Sequence, residues 1–425
     1  MIKKKMLTMA SAVVASALFG SPSVSNVALE QEPYTRVVTV TYSLGAEPAI
    51  VTADFRTNNV SIGGANMRRV AGDVNKLVTN TLSTCSFTWV PDREWAGRVI
   101  DDGSVKAVVR VWATNCPPDY MAIDLRVVTN GVSFYADASF LPYAVTNDYY
   151  RHDALLMRRI HAADVEWAMG VAEPDIGRDH SNNRDREKLH QVRLSADYYM
   201  GVFPLTQQQY YRATQSRPSV FVNRDDAYSR PVEGVSYNMY RAGSDTTDWA
   251  GWPSAGHVVK DGSVLQKFRA LTGVELDLPT DAQWEYAARA GVSLPLPNGK
   301  RASAESLDEI AWYSGNSYIE ERGQMETHPV GLKAPNAWGL YDVLGNTQEM
   351  VLDYHANAPS EAQVDPVGAS NGSSRVLRSG TYDYGLSDSY VSMRALGDPR
   401  NNGSNSSSWR KVSARLCCPA VVSVK

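Results

Sequence analysis

No large excess of either charge is present in this 425-residue chain. Its 42 Lys and Arg residues against 46 Asp and Glu leave a formal net charge of −4 and a pI near 6.0. Proteins that bind nucleic acid or anionic membranes through charge carry basic surfaces, so the composition gives no support to either function. With 43% hydrophobic and 21% charged residues, the chain has an ordinary globular composition, and its length fits two to three domains.

Apolar runs long enough for a comfortable transmembrane helix are also missing. The amino-terminal run, Met6–Phe19, follows the basic segment Lys3–Lys5 and precedes small residues between Ser23 and Ala28. This order is typical of a secretory signal peptide. We expect a signal peptide over residues 1–28, a secreted or periplasmic location, and no membrane anchor after the signal is removed.

Cysteine is scarce, with four residues in the chain. In an oxidising compartment, Cys85 and Cys116 are the best candidates for a disulfide. Cys417 and Cys418 are adjacent, and neighbouring cysteines bond to each other only with strain, so buried apolar residues are an equal interpretation. Neither pair has the spacing of a zinc site.

Motifs of several enzyme classes are absent. The chain has no GxSxG elbow, HExxH helix, Walker loop or dinucleotide-type GxGxxG, the short patterns that mark those chemistries. Its seven histidines show no HxxxH-type pairing. The sequence therefore offers no specific residues for these reactions.

Alternating apolar and polar residues dominate the first third of the chain. Thr35–Tyr42, Lys106–Ala113 and Tyr120–Val128 have the period of half-buried strands. Gly, Asn, Asp and Pro separate these runs. We predict a small immunoglobulin-like β-sandwich domain over residues 29–150.

Leu278–Gly291 carries the clearest helix signals. Thr280 and Gln283 have the spacing of a capping box, Trp284 marks the face that would be buried, and Gly291 is placed to end the helix in the left-handed conformation. Further helices are predicted over Gln207–Ala213 and Asp261–Leu271.

Several segments along the chain resemble motifs of one known family, the formylglycine-generating enzyme or sulfatase-modifying-factor family. The helix segment is similar to its Leu-Pro-Thr-Glu-Ala-Glu-Trp-Glu-Tyr-Ala-Ala-Arg signature. The other matching segments are Tyr199–Thr206, Arg230–Tyr237, His328–Gly331, Gly339–Asn346 and Arg375–Tyr382.

The resemblance implies an α+β fold, with a C-type-lectin-like sulfatase-modifying-factor domain over residues 154–424 after the β-sandwich. It also implies calcium, because the family's Asn/Asp-X-X-Gly-Asn-X-X-Glu segment helps to bind that ion, which prefers several oxygen ligands. A tight turn with surface carboxylates is the alternative. The matching positions are Asp342, Gly345, Thr347 and Glu349.

The resemblance also shows where this chain departs from the family. The oxidase members bind copper(I) through two cysteines that are separated by four residues, and an ungapped count places Tyr384 and Ser389 at those positions. Neither side chain offers the soft thiolate that suits copper(I), and no cysteine lies between Thr381 and Leu416. We therefore expect no copper and assign no catalytic residue.

Arginine and aromatic side chains near this segment are the better candidates for ligand contact. Arginine supplies planar hydrogen-bond donors, and aromatic rings supply a stacking surface. Surface charges with packed aromatics are the alternative. The candidate ligand-binding residues are Arg375, Arg378, Tyr382, Tyr384, Arg394 and Trp409.

Two functions remain open. In the first, the chain is a non-catalytic module that binds a protein or glycan outside the cytoplasm. In the second, it is a sulfatase-maturing oxidase that converts a sulfatase cysteine to formylglycine. The missing cysteine pair favours the first.

Overall fold

The structure, a computed structural model, describes residues 21–45, 48–79, 84–96, 100, 103–171, 185–241, 259–397 and 411–422. The basic and apolar parts of the predicted signal peptide, and Trp409, lie outside these ranges. The described part consists mainly of short strands and loops with a few short α-helices. None of these helices is long and apolar enough to cross a membrane.

The amino-terminal part contains two antiparallel sheets around one core. Its strands are β1 Val24–Gln31, β2 Val38–Leu44, β3 Ala49–Thr57, β4 Val60–Ser61, β5 Val70–Gly72, β6 Lys76–Val78, β7 Cys85–Trp89 and β8 Val105–Trp112. One sheet has the order β1-β2-β7-β5, and the other has β4-β3-β6 with β8 paired to β3. Phe55 and Trp89 from opposite sheets stack at 4.2 Å. β1 begins before residue 28, the predicted end of the signal peptide.

The remaining strands form the larger part of the molecule. They are β9 Tyr120–Asp124, β10 Val132–Tyr135, β11 Ala154–Ile160, β12 Val165–Met169, β13 His190–Leu194, β14 Tyr198–Gly201, β15 Ala311–Trp312, β16 Tyr318–Ile319, β17 Gln324–Met325, β18 Leu344–Gly345, β19 Gln348–Tyr354, β20 Gln363–Val364, β21 Arg375–Arg378, β22 Ala395–Gly397, β23 Val412–Ser413 and β24 Cys417–Pro419. The main sheets have the orders β10-β9-β11-β14-β24, β12-β13-β20 and β22-β21-β19-β23.

The sheets do not divide at residue 150, where the domain boundary was predicted. β9 and β10 pair with each other, and β9 pairs with β11 from Ala154 to Arg158. These two strands therefore belong to the sheet of the carboxyl-terminal part. Alternation predicts that a segment is a strand, but it carries no information about which sheet the strand joins.

Five α-helices lie in the described residues. They are α1 Gln207–Thr214, α2 Tyr237–Arg241, α3 Val264–Thr272, α4 Asp281–Arg289 and α5 Ala304–Asp308. Three of them, α1, α3 and α4, form where the sequence predicts helices, and α2 and α5 were not predicted. In α4, the Thr280 side chain and the Gln283 side chain form the predicted capping box. Ala290, with φ 48°, adopts the left-handed conformation one residue before Gly291. All residues of α4 are buried, not one face alone.

None of the four cysteines, all of which lie in described ranges, is in a disulfide. Cys85 is buried at the start of β7, whereas Cys116 is exposed after β8, so the predicted pairing is not formed. Cys417 and Cys418 are buried in β24, opposite Met200 and Tyr199 of β14. Burial raises the pKa of both thiols well above the usual range.

Candidate ligand-binding pocket

Two of the arginines proposed as ligand contacts are fully buried. The Arg375 guanidinium lies between the rings of Tyr237 and Tyr354, at 4.0 and 3.4 Å from their centroids, and donates to the Leu352 carbonyl at 2.6 Å. Arg375 therefore packs within the core instead of facing a ligand.

Arg378 of β21 forms ion pairs with side chains of α4. Its guanidinium forms ion pairs with Asp281 and, at 2.9 Å, with Glu285. On the same helix, Arg289 pairs with Glu285 at 2.7 Å. Burial acts to raise the pKa of Asp281, but Arg378 and Arg394 outweigh it and hold that pKa below the usual value.

Of the five predicted ligand residues that the structure describes, Arg394 is the one that lines an open cavity. It pairs with Asp281 at 2.8 Å and donates to the carbonyls of Arg186 and Ala356 at 2.5 and 2.9 Å. Its side chain lines a pocket of about 430 Å³. Arg394 therefore borders a cavity, and its role as a ligand contact stays a prediction.

Segments far apart in the sequence meet around this pocket, which we call the α4 pocket. The start of α4 contributes Asp281, Ala282 and Glu285, and the end of β19 contributes Asp353 and Tyr354. The other walls are residues 169–170, 186–188 with His190, 356–359, 363–369 and Arg394. Apolar walls with a few polar groups are typical of ligand pockets.

Asp353 is one of several polar pocket residues that the sequence analysis missed. It is 3% exposed, and its Oδ2 accepts a hydrogen bond from the Asp281 backbone N–H at 2.7 Å. Burial and the neighbouring Asp281 raise the pKa of Asp353 to about 7. A signal was present in the sequence, since Asp353 is the one acidic residue in the apolar run Met350–Tyr354.

The predicted aromatic contacts lie elsewhere. The Tyr382 ring packs edge-on against Phe221, with centroids 5.8 Å apart. Tyr384 is half-buried, with the Lys411 ammonium 5.6 Å from its ring, and Lys411 pairs with Asp383. Neither tyrosine lines the α4 pocket.

The predicted calcium ligand Glu349 is already engaged by protein groups. Its Oε2 accepts from Trp284 Nε1 at 2.6 Å and from Arg415 Nε at 3.1 Å. Its Oε1 accepts from the Arg415 terminal nitrogen at 2.8 Å. Asp342 is also buried, and its Oδ2 accepts from the Gly331 N–H at 2.7 Å.

The Arg415 guanidinium is surrounded by oxygen acceptors. Besides Glu349, it donates to four backbone carbonyls, those of Gly201, Val202, Tyr341 and Asp342, at 2.8 to 3.2 Å. In the described residues, no group of three or more His, Cys, Asp or Glu side chains could hold a metal. The carboxylates of Asp342 and Glu349 do not fit calcium, because protein donors already engage them, and we derive no function through the predicted site.

Comparison with known proteins gives a family match over residues 166–410, to the domain described as sulfatase-modifying factor enzyme 1-like. Among curated relatives, a formylglycine-generating enzyme of Streptomyces coelicolor is 34% identical over 147 residues, which are 31% of this chain and 43% of that protein. The enzyme of Thermomonospora curvata is 32% identical over 25% of this chain and 38% of its own length. The chain thus spans less than half of these two relatives. The solved structure of Treponema denticola variable protein 1 aligns over 63% of this chain and 95% of its own, at 25% identity and a TM-score of 0.47.

Proposed function

The chain belongs to the sulfatase-modifying factor enzyme 1-like domain family, and we propose that it is an exported, non-catalytic binding module within that family. Its ligand is a protein or glycan outside the cytoplasm, held in the α4 pocket. The observation that carries this proposal is the pocket itself, a cavity of about 430 Å³ with carboxylates and Arg394 in its walls.

The positions and the burial of the cysteine thiols support a non-catalytic role. At the positions where the resemblance implies copper-binding cysteines, Tyr384 offers a phenol, and Ser389 a buried hydroxyl that donates to the Gly385 carbonyl at 3.1 Å. Cys417 and Cys418 are buried in β24, with raised thiol pKa values. Thiolates are the reactive and metal-binding form of cysteine, so these two residues do not replace the missing pair.

A ligand screen tests the proposed binding. The purified chain would be applied to a glycan array and to a displayed peptide library. Val367→Trp would fill the α4 pocket from its wall, and Val128→Trp, at a position 64% exposed and outside the pocket, is the matched control. We expect a ligand that the wild type and Val128→Trp bind and that Val367→Trp does not. Equal binding by all three proteins would place the ligand elsewhere and contradict the proposal.

A second assay tests the alternative oxidase. The chain would be incubated with copper(I), oxygen and a Cys-X-Pro-X-Arg peptide, and the peptide mass would be followed. We expect no change. The loss of mass that accompanies conversion of the thiol to an aldehyde would establish the oxidase instead.

A further inference from the structure

One oxygen in the α4 pocket has no hydrogen-bond partner among the described residues. The Asp353 side chain accepts through Oδ2, but Oδ1 makes no hydrogen bond or ion pair with the residues that the structure describes. Gly368, with φ +75°, packs so closely that a Cβ at that position would lie 2.8 Å from Asp353 Cβ and 3.0 Å from Oδ1. The carboxyl is thus held between Gly368 and α4, with the pocket as its open side.

The buried carboxyls on α4 have arginine partners, and among the described residues that of Asp353 does not. The buried guanidiniums beside the pocket are those of Arg289, Arg378 and Arg394. The three arginines pair with Asp281 and Glu285. Asp353 has no arginine partner in the described part of the chain. A buried charge is costly unless it is paired, so a cation beside Asp353 would stabilise its ionised form.

The walls of the pocket suit a cation that is carried on an apolar stem. Ala282, Pro366 and Val367 line it together with Tyr354, and long basic side chains pack their methylene groups on such surfaces while the charged end finds a partner. More exposed charges of both signs, Arg186, Lys188 and Asp365, lie at its rim.

We propose that the α4 pocket binds a lysine or arginine side chain of a protein partner, with the ammonium or guanidinium against Asp353. This inference rests on the proposed binding function and selects a protein over a glycan as the ligand. The interaction is a charge-assisted hydrogen bond to a carboxylate, which is among the stronger polar contacts in proteins.

Binding of such a cation depends on pH, because only the ionised carboxyl attracts it. The pKa of Asp353 is raised to about 7 by burial and by Asp281, and a bound cation favours the ionised form. The affinity therefore increases as the pH rises through 7.

Several other titratable and charged groups surround Asp353. They are Asp281 and Glu285 on α4, Arg378 on β21, Arg394 before β22, His355 after β19, Arg186, Glu187 and Lys188 before β13, His190 in β13, and Asp365 after β20.

The test compares a short peptide with a central arginine, its lysine analogue, and the same peptide with neutral citrulline, by isothermal titration calorimetry. Asp353→Asn removes the charge but keeps the shape, and Asp164→Asn, whose side chain is 72% exposed, is the matched control. We expect the wild type and Asp164→Asn to bind the arginine or lysine peptide. Affinity should fall about tenfold or more in Asp353→Asn and for citrulline, since hydrogen bonds to charged groups contribute on that scale.

The pH profile separates binding at Asp353 from an indirect structural effect. Wild-type affinity should rise between about pH 6 and about pH 8, and the profile of Asp353→Asn should be flat in that range. Unchanged affinity in Asp353→Asn, or equal binding of arginine and citrulline peptides, overturns the inference. If no basic peptide binds but a glycan binds in the pocket-dependent manner described above, the inference is wrong while the proposed function stands. If no ligand of either kind requires the pocket, both are wrong.

Discussion

The guanidinium of Arg415 and the carboxylate of Glu349 form a two-bonded ion pair in which both side chains are fully buried. The pair joins the chain just before β24 to β19, and Trp284 of α4 adds a third hydrogen bond to the same carboxylate. The carboxyl-terminal part is built mostly from loops and two- to seven-residue strands. Buried polar links of this kind connect segments that share no long hydrogen-bond ladder.

Breaking this pair should destabilise the fold strongly. We expect Arg415→Met to lower the free energy of unfolding by about 3 to 5 kcal/mol, because it leaves Glu349 buried without its cation. Urea unfolding measures the change. The matched control is Arg193→Met, which breaks an exposed pair with Asp164 and should cost about 1 kcal/mol or less.

A double variant separates charge from packing. Arg415→Met with Glu349→Gln removes both charges, and the glutamine still accepts from Trp284. We expect the double variant to be more stable than Arg415→Met alone. A larger loss in the double variant would mean that Glu349 stabilises the fold through contacts other than Arg415.

Calcium should leave the stability of this protein unchanged. Arg415 already donates to Glu349 and to the Asp342 carbonyl, and a ligand stabilises a fold only if it binds the native state. The measurement is the melting temperature in calcium against the same protein in chelator. A clear rise in calcium would show that the carboxylates at Asp342 and Glu349 bind the ion after all.

Asp353→Asn should stabilise the protein at alkaline pH. The folded-state pKa of Asp353, about 7, lies above its ordinary value of 3.8, so its contribution to stability is fully present below about pH 4 and is lost as the pH rises through 7. The asparagine avoids this loss. We expect the free energy of unfolding of the variant to exceed that of wild type by roughly 1 to 4 kcal/mol near pH 8, with the difference shrinking towards pH 5.

Denaturant unfolding at several pH values measures this difference, and the exposed Asp164→Asn is the control. A variant that is less stable than wild type at every pH would mean that Asp353 acts mainly as an acceptor for the Asp281 N–H. A residue that binds ligand while weakening the unliganded fold is a common compromise at functional sites.

His161 should contribute to stability in acid and not in base. Hydrogen bonds with Asp119 and Asp197 raise its pKa to about 9, and its Nε2 lies 2.8 Å from Asp119 Oδ1. A histidine whose pKa is raised in the folded state stabilises the fold fully below about pH 6.5, and this stabilisation is lost as the pH rises through 9. His161→Gln should therefore lower the melting temperature at pH 6 more than at pH 10. An equal loss at both pH values would show that the charge of His161 is not the cause.

Native thiol reactivity should be confined to Cys116. It is exposed, whereas Cys85, Cys417 and Cys418 are at most 2% exposed, and reaction requires an accessible thiolate. Alkylation followed by mass spectrometry should find one modified thiol in the native chain, four in denaturant, and none in native Cys116→Ser. A denatured chain with only two reactive thiols would indicate that the Cys85–Cys116 disulfide forms in solution.

Short-range signals in the sequence were reliable. Thr280 and Gln283 form the capping box predicted for α4, and α1 and α3 match the predicted helices to within a few residues at each end. The predicted strand Lys106–Ala113 is β8, displaced by one residue. Helix caps and strand alternation depend on residues that are a few positions apart, so the local sequence shows all the residues that take part.

The positions of the candidate ligand-binding residues were harder to predict, because arginine has the same sequence signature on a surface and in a core. Arg378 and Arg394 lie near each other along the chain, yet Arg378 is enclosed between β21 and α4 whereas Arg394 borders a cavity. Both arginines pair with Asp281, but Arg378 also pairs with Glu285, and both carboxylates lie on α4, far from the arginines in the sequence.

The sequence alone determines three features, because each depends on local pattern or residue identity. They are the membership of the family, the capped helix α4 and the absence of cysteine from residues 381–416. The sequence does not show the domain boundary, the burial of Arg375 and Arg378, or the ion pair that engages Glu349. They depend on which segments pack together, and packing sets both the dielectric surroundings and the partners of every charge. The α4 pocket belongs to this second group, since Asp281, Asp353 and Arg394 come together only when the chain has folded.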